Sequence, residues 1–223
     1  MKKTNILLLI FAALAAVSVN AALITEQNFD DAGWDFTAVP DESIGHEEIS
    51  GFFFMNWGVT DLVPIDSDAT NTLTAADDSD FWGIRKLADY AEYTAGVTVN
   101  PTDFYLEFDS VDISAYTGVE ITFDYAIAED YADGYMAYQV SLDGGQTWEN
   151  AVEVSIATGA WTTETISIAD SVDDVALRLI SDDTLSYPGA AGWDNVELIP
   201  EPATMVIFGL GGLILSATRR RNA

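Results

Sequence analysis

The side chains able to do chemistry in this chain are overwhelmingly carboxylates: 37 Asp and Glu stand against 8 Lys and Arg, one His and no Cys. Without cysteine there is no thiolate nucleophile and no disulfide, and a zinc centre of the Cys/His type has no ligands to build from. The single imidazole, His46, lies among Asp41, Glu42, Glu47 and Glu48 and reads as part of a solvated acidic loop. Two chemistries stay open. Paired carboxylates about 5–10 Å apart could cleave a glycosidic bond. Oxygen ligands could instead hold a hard cation such as Ca2+, which extracellular modules bind at about 10⁻⁴–10⁻³ M. Acids are so abundant here that their number alone singles out no pair.

Charge removes other partners. The net charge is −29, and between residues 22 and 199 the bases are Arg85, Lys86 and Arg178. Such a surface repels phosphate backbones and anionic lipid, so nucleic acid is excluded as a partner. Six Trp and nine Tyr provide faces on which sugars stack. Trp34, Trp82, Trp161 and Trp193 sit in strand-like contexts and are expected to fill the core. Trp57, Tyr131 and Tyr187 sit near turns and are the candidates for exposed ligand-binding platforms. The segment Ser141 to Trp148, SLDGGQTW, fits the Asp-box pattern S-x-D-x-G-x-T-W. In that pattern Asp143 accepts backbone N–H groups, Gly144 and Gly145 take positive φ and Trp148 folds back on the hairpin. Its expected role is to stabilise a turn; a single copy, without an Arg-rich pocket, does not point to a sialidase.

The elements that must position these residues alternate with period two rather than 3.6. Residues 104–110, 119–128, 134–143, 147–156, 161–170, 174–182 and 192–199 read as strands separated by Gly, Asp and Ser. Residues 22–30 and 49–59 read as strands as well, and 61–80 as a long, irregular, Asp-rich insertion. With no amphipathic helix between the strands, the expected fold is all-β, an antiparallel β-sandwich. Residues 22–199 are long enough to bury one core.

Both ends read as processing segments. Lys2 and Lys3, an apolar stretch from Ile6 to Val19 and the small residues up to Ala21 form a signal peptide over residues 1–21. At the other end, Pro200, Glu201 and Pro202 precede an uncharged apolar run from Ala203 to Thr218, then Arg219, Arg220 and Arg221. At about 1.5 Å per residue the run reaches roughly 24 Å, close to the ~30 Å hydrocarbon core, and the arginines favour the cytoplasmic side. Residues 200–223 resemble the PEP-CTERM sorting signal of exported bacterial proteins. The resemblance implies a transmembrane sorting helix, a membrane-embedded exosortase-type protease as processing partner, and delivery to a cell surface or matrix rich in polysaccharide.

In the mature part, NFDDAGW (28–34), FWGIRKL (81–87), SLDGGQTW and AGWDNVEL (191–198) together resemble the jelly-roll modules of MAM-type, galactose-binding-like and carbohydrate-binding domains. That resemblance implies that the first and last strands pair or neighbour each other and that a structural Ca2+ sits between them, with Glu26, Asp30 or Asp31, and Asp194 as metal ligands. A second acidic group, Asp66, Asp68, Asp77, Asp78 and Asp80, lies in the insertion. The expected function is that of an exported, non-enzymatic surface or matrix protein that binds extracellular polysaccharide or acts structurally, with Ca2+ as stabiliser. The rivals are a glycan-active hydrolase or lyase using paired carboxylates and a protein-binding adhesion module.

Overall fold

The computed structural model describes residues 23–30, 33–39, 56–64, 72–77, 79–85, 104–128, 135–154, 160–181 and 190–200. The described residues contain strands and no helix. In chain order these are β1 (Thr25–Gln27), β2 (Phe36–Val39), β3 (Asn56–Thr60), β4 (Leu62–Pro64), β5 (Thr72–Thr74), β6 (Phe81–Arg85) and β7 (Tyr105–Phe108). They continue as β8 (Val111–Asp112), β9 (Val119–Ala128), β10 (Met136–Ser141), β11 (Val152–Glu153), β12 (Thr162–Ser167), β13 (Asp174–Ser181) and β14 (Ala190–Pro200).

Two antiparallel sheets form a jelly-roll-type sandwich. The first runs β12-β9-β14-β6-β3, with β1 also on β14; the second runs β11-β10-β13-β7-β2, with β8 on β13. From β9 to β14 the chain passes repeatedly between the layers, so neighbours in sequence face each other across the core. The alternating residues of each strand meet in one aromatic-rich interior. Trp57 packs edge-on to Trp82 at 5.2 Å and to Phe104 at 5.3 Å, and Phe123 packs on Trp193 at 5.6 Å.

One bulge sets the layout of the central strand. Up to Asp194, β14 follows β9 in register (Trp193↔Tyr125, Asp194↔Asp124), and pairing resumes at Glu197↔Thr122. Asn195, with φ 47°, occupies the left-handed region that Asn tolerates better than most residues. The extra residue changes the parity of the strand: Ala191 and Trp193 face the core before it, Val196 and Leu198 after it. It also divides the other edge of β14, where β6 pairs with residues 191–193 and β1 with residues 196–198. First and last strands therefore do pair.

Three expectations need correction. Trp57, expected at an exposed turn, is fully buried, because β3 runs on to Thr60 and pairs with β6, placing Trp57 opposite Ile84 on the core face. The stretch expected over 147–156 is not one strand, since Thr147 and Trp148 lie where the turn ends and, among the described residues, Val152–Glu153 is the part that forms a strand on β10. The insertion is not wholly irregular: β4 and β5 pair, and Val63, Leu73 and Ala75 cover Phe81, Ala126 and Ala190 on the outer side of the first sheet. Trp161 closes this second cluster by donating its indole N–H to the Thr74 carbonyl at 2.7 Å. Gly192 lies beneath it; a Cβ there would come within 2.6 Å of the Phe81 ring.

Candidate functional site

The outer face of the second sheet is assembled from positions that alternate with the core. One row across it is Gln139, Arg178, Glu107 and Thr37; the next is Glu153, Ala137, Ile180, Tyr105 and Val39. Arg178 anchors the first row. Its Nε donates to Glu107 Oε2 at 2.7 Å, and Nη2 reaches the same oxygen at 2.6 Å. Its guanidinium carbon lies 4.7 Å from the centroid of Tyr105 and 4.0 Å from that of Trp148. Two partly exposed rings and one planar cation are thus held in contact as a single unit.

Trp148 reaches this face because the Asp-box loop folds over it. Asp143 accepts the Thr147 backbone N–H at 2.8 Å, the Thr147 hydroxyl at 2.6 Å and the Ser141 hydroxyl at 2.7 Å. The Ser141 hydroxyl in turn accepts the Gly145 N–H at 2.7 Å. Gly144 (φ 71°) and Gly145 (φ 87°) supply the positive backbone angles of the turn. These hydrogen bonds, led by that of the Thr147 hydroxyl, lower the Asp143 carboxyl to about 2. After the turn, the Glu149 N–H returns to the Val140 carbonyl at 3.0 Å, and Gln139 donates its side-chain amide to the Glu149 carbonyl at 2.8 Å. The loop is therefore tied to β10 on both sides of Trp148.

The expected metal ligands are placed differently. Glu26 is exposed on β1 opposite Glu197. Asp30 Oδ1 accepts the Asp80 N–H at 2.7 Å. Asp194 is fully buried at the bulge, its Oδ1 accepting the Asn195 N–H at 2.8 Å and its Oδ2 the Ala76 N–H at 3.3 Å. Among the described residues no group of three or more His, Cys, Asp or Glu side chains is gathered to hold a metal ion, and Glu26, Asp30 and Asp194 are not brought together as one such group. Burial, reinforced by Asp77 and Asp124 and opposed by the two backbone hydrogen bonds, pushes the Asp194 carboxyl up to about 7. Its neighbour Asp124 accepts the Thr163 hydroxyl at 2.5 Å and the Asn195 side-chain amide at 3.1 Å. Buried beneath residues 72–77, Asp194 latches the segment after β5 to β14 through the Ala76 N–H.

Tyr131, Tyr187, His46, Asp31, Asp66, Asp68 and Asp78 lie outside the described residues, as do residues 1–21, expected to be a signal peptide, and residues 201–223. No helix among the described residues is long and apolar enough to cross a membrane. In the sequence Tyr105 and Arg178 each look like an ordinary strand residue. The usable signal was their alternation out of phase with Leu106 and Leu179, joined to the Asp-box tryptophan.

Comparison with known proteins adds two findings. The PEP-CTERM protein-sorting motif matches residues 198–221, which marks an exported chain held at the membrane before processing. No curated protein matches the sequence. Among solved structures, the chain is similar to the K1 cleaved adhesin domain of Lys-gingipain from Porphyromonas gingivalis W83, at 18% identity over 78% of this chain and 95% of that one, with a TM-score of 0.42. It is also similar to the carbohydrate-binding module TmCBM61, solved in complex with β-1,4-galactotriose, at 14% identity over 65% and 88% with a TM-score of 0.38. A third is the C-terminal family 22 carbohydrate-binding module of Clostridium thermocellum Xyn10B, at 11% identity over 69% and 97% with a TM-score of 0.38.

Proposed function

We propose that this chain is an exported protein of the cell surface or extracellular matrix whose β-sandwich binds polysaccharide, without catalysing a reaction, through the outer face of its second sheet. The observation that carries the proposal is the contact unit of Tyr105, Arg178 and Trp148. Aromatic faces offer the C–H surfaces of a sugar ring a flat apolar partner, and Arg178 holds the two rings against one cation. Flanking Glu107, Gln139 and Thr37 supply polar atoms for sugar hydroxyls, the usual composition of a small-ligand site. The sorting motif sets where this binding would take place, and an exosortase-type protease is the processing partner it implies.

Retardation of the chain in native gels containing dissolved polysaccharide tests the proposal. Trp148→Ala and Tyr105→Ala are each expected to weaken retardation at least tenfold while the fold is retained. Equal retardation of both variants and the parent would reject the face as the binding site.

Calcium enters this reading as a counter-ion of the acidic surface. A net charge of −29 favours divalent cations through relief of self-repulsion, and that requires no dedicated centre.

A further inference from the structure

We infer that the face selects uncharged polysaccharide over acidic polysaccharide. The inference rests on the binding face proposed above and adds the class of ligand. Recognition of a uronate or sulfate needs a cation able to offer N–H groups to the anion. Of the three bases between residues 22 and 199, Lys86 lies outside the described residues, and those described are Arg85 and Arg178. Arg85 is buried in β6 of the opposite sheet, at 1% exposure, and cannot reach the face. Arg178 is on the face but committed: among the described residues both of its polar contacts go to Glu107 Oε2, with the two side chains 24% and 37% exposed, and its guanidinium packs on Tyr105 and Trp148.

Acids surround this ion pair. Glu153 shares the face through its position opposite Ala137, and Glu149 is exposed where the Asp-box loop rejoins β10. An anionic polymer stacked on Trp148 would meet the carboxylate of its chain neighbour Glu149, and one running along the face toward β11 would meet Glu153, like charges that repel it. A neutral polymer meets no such barrier. Its hydroxyls can donate to the Glu107 and Glu153 carboxylates while its ring faces stack on the aromatics. The face is thus an acceptor surface for hydroxyl groups, not a receptor for anions.

The test uses the full chain in nonionic detergent, run in native gels containing hydroxyethylcellulose, galactan or galactomannan as neutral probes and alginate or polygalacturonate as acidic ones, at 20 and 200 mM NaCl. At least one neutral polymer is expected to retard the chain, with less than a twofold change between the two salts, and the acidic polymers are expected to leave it unretarded. Retardation by alginate or polygalacturonate equal to or stronger than that by the neutral polymers would overturn the inference and leave the binding face standing. Failure of every polymer to retard the chain would remove the binding face itself, and the inference with it. Glu107→Gln releases Arg178 and is expected to bring in alginate retardation at 20 mM NaCl that disappears at 200 mM. Alginate mobility unchanged by this substitution would also overturn the inference.

Discussion

Trp148 lies with its ring centroid 4.0 Å from the Arg178 guanidinium carbon, although one residue belongs to a turn and the other to the middle of β13. The turn brings them together. Ser141 leaves β10 pointing to the outer face, Asp143 draws Thr147 back toward it, and Trp148 then falls over the row containing Gln139 and Arg178. The Asp-box therefore does more than close a hairpin: it delivers an aromatic side chain to the candidate binding face.

Asp143→Asn tests that coupling. Asn lacks the charge that strengthens the hydrogen bonds from Thr147 and Ser141, so the variant is expected to melt at a lower temperature at neutral pH and to bind polysaccharide at least fivefold more weakly. The pH dependence has a defined sign. The carboxyl is lowered from 3.8 to about 2 in the folded chain, so its contribution is fully present above about 3.8 and is lost as pH falls through about 2. The difference in melting temperature between parent and variant should hold above pH 4 and shrink toward zero near pH 2. A difference that does not vary with pH would mean that the charge on Asp143 contributes nothing.

Asp194 has the opposite sign. Its folded carboxyl is raised from 3.8 to about 7, so its stabilising contribution is fully present below about 3.8 and lost as pH rises through about 7. Asp194→Asn cannot ionise. Above pH 7 it should melt higher than the parent by about 2–4 °C for each kcal/mol recovered; below pH 4 the advantage should vanish. Melting curves between pH 4 and 8 check this, and a variant less stable than the parent at pH 8 would show that the Ala76 and Asn195 hydrogen bonds need the carboxylate itself.

Two tryptophans separate packing from binding. Trp57→Ala removes a fully buried ring lying between Trp82 and Phe104 and should cost about 3–5 kcal/mol of stability. Trp148→Ala removes a half-buried ring from the outer face and should cost much less while abolishing most polysaccharide retardation. Denaturant melts of the two variants decide the point. Comparable loss of stability in both would make Trp148 a structural residue.

Calcium and magnesium at equal millimolar concentration are expected to raise the melting temperature equally, as counter-ions do. Chelation by EDTA should reverse both effects. A calcium-specific rise below 0.1 mM, roughly the lower bound for extracellular modules, would instead demonstrate a built site and contradict the counter-ion role.

Much of the sandwich was legible in the sequence. β9 alternates apolar and polar residues from Val119 to Asp124, and that pattern can satisfy a core on one side only as a strand. The Asp-box geometry was legible too, because turn chemistry is local. Trp57 was misread because a turn was placed where β3 continues, and whether a Trp near a strand end faces inward depends on which strand it pairs with. The β4–β5 hairpin was hidden by the aspartates around it, and its apolar residues find their purpose only against Phe81, Ala126 and Ala190.

The sequence by itself determined the sorting motif, the all-β class, the acidic charge and the absence of thiol chemistry, because each depends on composition or on contacts within a few residues. The tertiary structure alone decided that Glu26, Asp30 and Asp194 do not converge, and that Tyr105, Glu107, Trp148 and Arg178 do. Those outcomes depend on register between strands far apart in the chain, where a shift of one residue carries every side chain to the opposite face.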